Sequence, residues 1–186
     1  MADEPAYIKN LRAFTRGDLN VSHIEALEQE LYGASDRATA VMYGAIVENG
    51  LQHLLETEIR PDLNSKDRSF ASKTAMAYAL KLIGPISRAD LNLIRILRNE
   101  FAHSRKPFGF DAPEVKAVCD ELKIPDLPGA YIPDGFLERI PLAASDISNP
   151  RTRYISACHN LSHRLLNAGG GFRVGMAVGA RPPDLP

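Results

Sequence analysis

The chain has 186 residues, 45% of them hydrophobic and 24% charged, which suits one globular domain with a substantial core and some irregular extension. A formal net charge of -1 and a pI of about 6.5 argue against a broad basic face that would hold duplex nucleic acid through its phosphates, leaving only a local patch. Cys119 and Cys158 lack CxxC spacing, no run of about eighteen apolar residues occurs, and the opening MADEPAYIKN is acidic, so buried thiols in a soluble cytoplasmic protein without a membrane anchor are expected.

Helical starts and stops are the strongest signals along the chain. Ser22 and Glu25 in SHIE have capping-box spacing, in which hydroxyl and carboxylate each take a free backbone donor, and Ile24, Leu27 and Leu31 then share a face. A first helix is predicted over residues 22–32. Ser35 and Asp36 open a longer segment, RATAVMYGAIVENGLQHLLETEI, closed by Pro61, which cannot continue the hydrogen-bond ladder. Its small residues Ala40, Gly44 and Ala45 would permit close helix contact. The third segment, FASKTAMAYALKLIG, carries Met76, Leu80 and Ile83 at helical spacing and is predicted to end at Gly84-Pro85. Ser87 and Asp90 in SRAD give the next capping box, with Leu91, Ile94, Leu97 and Phe101 as its apolar stripe. The short connection makes these two helices an antiparallel hairpin.

Asp111, Pro113 and Glu114 in DAPE open a fifth helix, with Val115, Val118, Cys119 and Leu122 on one side. Residues 123–150 contain Pro125, Pro128, Pro133, Pro141 and Pro150 among Gly129 and Gly135, which predicts an ordered wrap or linker with one helical turn at most. Asn149-Pro150 reads as the cap and first position of a last helix, RTRYISACHNLSHRLLN, stopped by the glycines at 169–171. Residues 169–186 are predicted to be a mobile tail, in which FRVGMAV is a candidate edge strand only within an oligomer. The predicted architecture is all-α: one domain over residues 1–168, a bundle of five to six helices with its core at about 22–123 and a last helix at about 150–167.

The fourth helix ends in IRILRNEFAHS, which places Arg98, Asn99 and His103 close together in sequence. At about 100° per residue, Arg98 and His103 point about 140° apart, whereas Arg95, Asn99 and His103 fall on one stripe. Arg98 is expected to join that stripe only if the helix loosens near its end or a second subunit supplies the other half. An imidazole can transfer protons near neutral pH, and a guanidinium can grip a phosphate with two hydrogen bonds. Together they would suit cleavage of an RNA phosphodiester by its own 2′-hydroxyl without a metal. The alternative is structural, since His and Arg in a last turn favour the negative end of a helix.

The blocks SFASKTAMAYALKLIGPISRADLNLIRILRNEFAHS and FDAPEVKAVCDEL resemble the core of the mannitol operon repressor (MltR) family over roughly residues 35–123. In that family a Phe-x-x-Lys helix, a helical hairpin and an Arg-Asn-x-x-Ala-His end recur, here Phe70, Lys73, Arg98, Asn99, Ala102 and His103. The resemblance implies an all-helical cytoplasmic protein associated with transcriptional regulation. The shorter Arg-Asn-x-x-x-His pattern is similar to the signature of the HEPN superfamily, whose helical domains often dimerise. Some members cut RNA and others bind nucleotides or partners, so the pattern leaves enzyme and binding module both open.

Glu48, beside Asn49 in the otherwise apolar second helix, is a candidate to orient Arg98 or His103, the alternative being a carboxylate at a bundle edge that pairs with any nearby cation; Lys73 after Ser72 is a candidate to sit beside a phosphate, the alternative being a solvated lysine after a helix start. His159 and His163 have the spacing of two zinc ligands on one helix, but no second ligand pair accompanies them, and neither metal nor cofactor is expected. LKLIGPISRADLNLIRILRN resembles a helix-turn-helix in outline, yet its second helix begins with core-type residues where base-reading side chains belong, so no sequence-specific DNA binding is expected of the chain by itself. Two functions remain. One is an MltR-like regulatory module acting as a homodimer by binding protein or nucleotide, with Arg95, Arg98, Asn99, His103, Glu48 and Lys73 at its site. The other is a metal-independent endoribonuclease in which Arg98, Asn99 and His103 are catalytic.

Overall fold

The computed structural model describes residues 21–31, 33–58, 68–127 and 147–168, together with residues 5, 6, 8, 10 and 11. The elements are α1 (Val21–Glu30), α2 (Asp36–Glu58), α3 (Phe70–Ala79), α4 (Pro85–His103), α5 (Pro113–Asp120), a 3-10 turn (Ile124–Asp126) and α6 (Pro150–Ala168). Among the described residues there is no strand, and none of their helices is long and apolar enough to cross a membrane. The all-α bundle is thus as its hydrophobic periodicity predicts. Pro61, residues 128–146, and the predicted tail with its candidate strand lie outside the described residues.

Helix α2 is the axis of the core. Ser35 caps it, its hydroxyl accepting from the Ala38 amide at 3.3 Å. Tyr43, Val47, Leu51, Leu54 and Leu55 are buried along it. Helix α6 runs parallel to α2: the Tyr154 hydroxyl donates to the Ala40 carbonyl at 2.8 Å, and further along Gly50 lies against Leu165 and Ser162. Helix α4 runs antiparallel to α2, with the Arg37 guanidinium donating to the Ser104 carbonyl at 3.1 Å at one end and Gly44 against Arg98 in the middle.

Helix α6 is buried on all sides from Thr152 to Ser162. Its polar residues are accommodated by local bonds: Asn160 donates to the Ser156 carbonyl at 2.9 Å, and the Ser162 hydroxyl to the His159 carbonyl at 2.9 Å. His159 Nδ1 lies 2.7 Å from Glu28 Oε1, tying α6 to α1, while Ile24, Ile46 and Leu166 form a small apolar cluster between α1, α2 and α6. The predicted Asn149 cap is present, its side chain accepting from the Thr152 amide at 3.1 Å.

Several predicted boundaries differ. Helix α1 already includes Val21, so Ser22 lies within the helix rather than at its cap. Helix α3 ends at Ala79, well before Gly84. Lys81 takes the left-handed conformation at φ 58°, and the Leu82 and Lys81 amides bond back to the Ala77 and Tyr78 carbonyls, each at 2.9 Å, which closes the helix without a glycine. Gly84 instead precedes α4, where Pro85 supplies a preorganised first position, and Ser87 and Asp90 are buried within the helix. Asp90 caps a different element: its carboxylate accepts from the Lys123 amide at 3.0 Å and the Ile124 amide at 2.8 Å, at the start of the 3-10 turn. Helix α5 is preceded by Ala112 rather than Asp111 and starts at Pro113.

Arg153 fastens α6 to the segment after α5. Its Nε donates to the Cys119 carbonyl at 3.0 Å, and its terminal nitrogens bond the Leu122 carbonyl and the Asp126 carboxylate. On the opposite side Asp36 accepts from the Phe110 amide at 2.8 Å and pairs with Arg151 at 2.8 Å. Phe110 is thereby held between Phe101 and Tyr154, at centroid distances of 5.0 and 5.3 Å.

Candidate functional site

Three helices contribute to a polar cluster at the edge of this core. Lys73 lies in the first turn of α3, which Ser69 caps by accepting from the Ser72 amide at 3.2 Å, while the neighbouring Phe70 is buried. This anchoring draws the Lys73 side chain inward, where it is only 8% exposed. Its ammonium donates to Glu48 Oε1 of α2 at 3.0 Å. The second oxygen of Glu48 faces Arg98 Nη2 of α4 at 3.7 Å. Arg98 Nη1 in turn donates to Asn99 Oδ1 at 3.1 Å.

Glu48 therefore stands between two cations carried by two other helices, as the sequence reading anticipated for Arg98 and not for Lys73. Arg98 reaches Asn99 without any loosening of α4, which stays helical to His103 with the Ser104 amide still bonded to the Glu100 carbonyl at 2.9 Å. Arg98 and Asn99 leave the helix about 100° apart, an angle that the long arginine stem spans. Arg95, three residues before Arg98, points about 60° round the helix from it. The Nε atoms of both Arg95 and Arg98 are buried and have no hydrogen-bond partner. His103 is exposed in the last turn, and Asn49 is exposed on α2. Within one chain the bonded cluster thus contains Glu48, Lys73, Arg98 and Asn99; Arg95 and His103 are bonded to none of them.

The positioning residue that the sequence reading did not connect to the site is Gly44. A Cβ at this position would stand 2.7 Å from Arg98 Cγ and 2.8 Å from Arg98 Cβ, so the glycine is what lets the arginine stem lie across α2. Its place among Ala40 and Ala45 signalled close packing, without saying against what.

The histidine pair has a structural explanation. His159 is 1% exposed against Glu28 and packs its ring, tilted, against that of His163 at a centroid distance of 4.2 Å. Cys158 is buried in the core, and burial pushes its thiol well above the ordinary range. Among the described residues no group of three or more His, Cys, Asp or Glu side chains is placed to hold a metal ion.

No protein-family model, curated protein or solved structure matches the chain.

Proposed function

We propose that this chain is a helical regulatory module of the MltR type, related to HEPN domains, that works in the cytoplasm as a homodimer by binding a protein or a nucleotide rather than by reading DNA. The observation that carries the reading is the Glu48 carboxylate set between Lys73 and Arg98, with Asn99 holding the same guanidinium. Glu48 of α2, itself held by Lys73 of α3, fixes one arginine of α4, which is what a recognition surface needs, whereas the cleavage reading needs Arg98 and His103 to face one phosphodiester. In this chain His103 is exposed, on a part of α4 directed away from Arg98.

The test compares wild type, Arg98→Ala and His103→Ala at matched folding by circular dichroism. Affinity capture, nucleotide binding and sedimentation are measured together, with cleavage of labelled single-stranded RNA in EDTA. Dimerisation, with binding lost in Arg98→Ala while the fold persists, is the expected result. RNA cleavage by wild type that His103→Ala abolishes would replace the binding module by the endoribonuclease, and a monomer whose binding ignores both substitutions would remove both readings.

A further inference from the structure

The cluster carries more positive than negative charge. Lys73 and Arg98 bring two cations to the one carboxylate of Glu48, and Arg95, three residues back on α4, adds a third cation that makes no ion pair among the described residues. The antiparallel pairing that sets Gly44 beside Arg98 brings Glu48, one turn on, level with Arg95, one turn back. Two buried guanidinium N–H donors at this level, the Nε groups of Arg95 and Arg98, are unsatisfied. Unmet buried donors beside unbalanced positive charge are costly in a folded chain and are met by an anion with several acceptor oxygens.

We propose that Glu48 is an internal stand-in for a phosphate group: an incoming phosphate dianion takes the place of its carboxylate between Lys73 and Arg98 and also engages Arg95. Burial decides which partner moves. The Lys73 side chain is 8% exposed and stays, whereas those of Glu48 and Arg98 are 20% and 31% exposed, so the carboxylate can swing into water and the phosphate can enter from that side. Exchange of a monoanion for a dianion leaves one unbalanced positive charge among Lys73, Arg95 and Arg98 instead of two, and supplies oxygens to the two orphaned N–H groups. Glu48 then sets a threshold, since every phosphate bound must first displace it. This rests on the binding reading above and gives its site a ligand class.

The test titrates inorganic phosphate, and separately adenosine 5′-monophosphate, at constant ionic strength into wild type, Glu48→Gln and Arg98→Met. Calorimetry gives affinity, and the arginine Nε–H signals in nitrogen-15 NMR report the site in the wild type. Phosphate should shift the Arg98 and Arg95 Nε–H signals, bind about tenfold more tightly to Glu48→Gln, which removes the competing charge and keeps an acceptor for Lys73, and fail to bind Arg98→Met. Equal affinity for both probes assigns the site to free phosphate, and tighter binding of the nucleotide assigns it to a phosphomonoester; both retain the exchange. Unmoved arginine signals in wild type would overturn it even if Glu48→Gln did not fold, as would a Glu48→Gln protein that binds no tighter. If phosphate is ignored while Arg98→Ala still abolishes capture of a protein partner, the exchange falls and the regulatory reading stands.

Discussion

Gly44 of α2 and the stem of Arg98 of α4 are packed so closely that a Cβ on the glycine would come within 2.7 Å of Arg98 Cγ. Gly50, six residues along the same helix, is different: the nearest atom to its Cβ would be Leu165 Cβ at 3.4 Å, an ordinary contact. Alanine at either position gains up to about 1 kcal/mol in helix propensity. At Gly44 that gain is outweighed by overpacking, typically about 1–3 kcal/mol, because the colliding atoms lie next to the α4 backbone and cannot swing away. Gly44→Ala should therefore lower the denaturant midpoint and displace Arg98 from Glu48, while Gly50→Ala should leave the midpoint unchanged or raise it. Equal effects at the two sites would show that the α2–α4 contact is looser than described.

Asp90 should be both structurally important and sensitive to pH. Asp90→Ala leaves the Lys123 and Ile124 amides without their acceptor, the latter buried, at a cost of about 2–3 kcal/mol; Asp90→Asn keeps one acceptor and should cost less. Burial raises the Asp90 carboxyl above its ordinary value, while hydrogen bonds from the Ile124 and Lys123 amides and the Arg153 charge hold back part of the rise. The native state then keeps a proton that the unfolded chain has released. As pH rises from the ordinary carboxylate value through the raised one, wild type should lose stability that Asp90→Asn does not lose, so the gap between them narrows. Urea midpoints across this range give the slope, and a gap that widens with pH would contradict the assignment.

The same aspartate illustrates what was legible in the sequence. Helix starts governed by the immediate neighbours were readable: Ser35, and Asn149 before Pro150, cap the helices they precede. The Ser87–Asp90 spacing is a formal capping box, yet Asp90 serves a turn 33 residues away, and only the fold reveals that distance. The end of α3 was misplaced because a left-handed Lys81 took the role that glycine usually signals. The all-round burial of α6 from Thr152 to Ser162 was hidden because its Ser, His and Asn residues look like a solvated face until their bonds to neighbouring carbonyls and to Glu28 are known. At the candidate site residue chemistry named Glu48, Lys73, Arg98 and Asn99, but Cβ directions could not foresee the Arg98–Asn99 bond, which depends on side-chain length.

Arg153 and Asp126 should contribute unequally although they form one pair. Arg153→Met strands the Cys119 and Leu122 carbonyls, and about 1–3 kcal/mol for each buried group left unsatisfied makes it a severe substitution. The Asp126 side chain is 52% exposed, so Asp126→Asn should cost under about 1 kcal/mol. The Arg153 hydrogen bond holds the Asp126 carboxyl below its ordinary value, so its small contribution is present above the ordinary carboxylate range and disappears as pH falls through the lowered one. Hydrogen exchange at the Lys123 and Ile124 amides should accelerate strongly in Arg153→Met and little in Asp126→Asn. Comparable acceleration would mean that the ion pair, and not the carbonyl bonds, fastens the turn.

The two thiols test the core most directly. Burial pushes Cys119 up to about 12 and Cys158 well above its ordinary value, and both are free and buried. Because the thiolate is the reacting species, an aromatic disulfide reagent at pH 8 should leave the native protein unmodified for as long as it stays folded. Reaction then requires an opening that exposes the sulfur. Cys158 lies on α6, buried on all sides there, so it should react only with global unfolding, at a rate that rises with denaturant as steeply as unfolding itself. Cys119 lies in the last turn of the short α5, held to α6 by Arg153 through its own carbonyl, and a smaller opening can expose it. In wild type it should react ahead of Cys158, and Arg153→Met should widen that lead by releasing α5 while leaving Cys158 tied to global unfolding. If both thiols keep one common rate in the variant, α5 and α6 open as a single unit, and Arg153 is not what joins them.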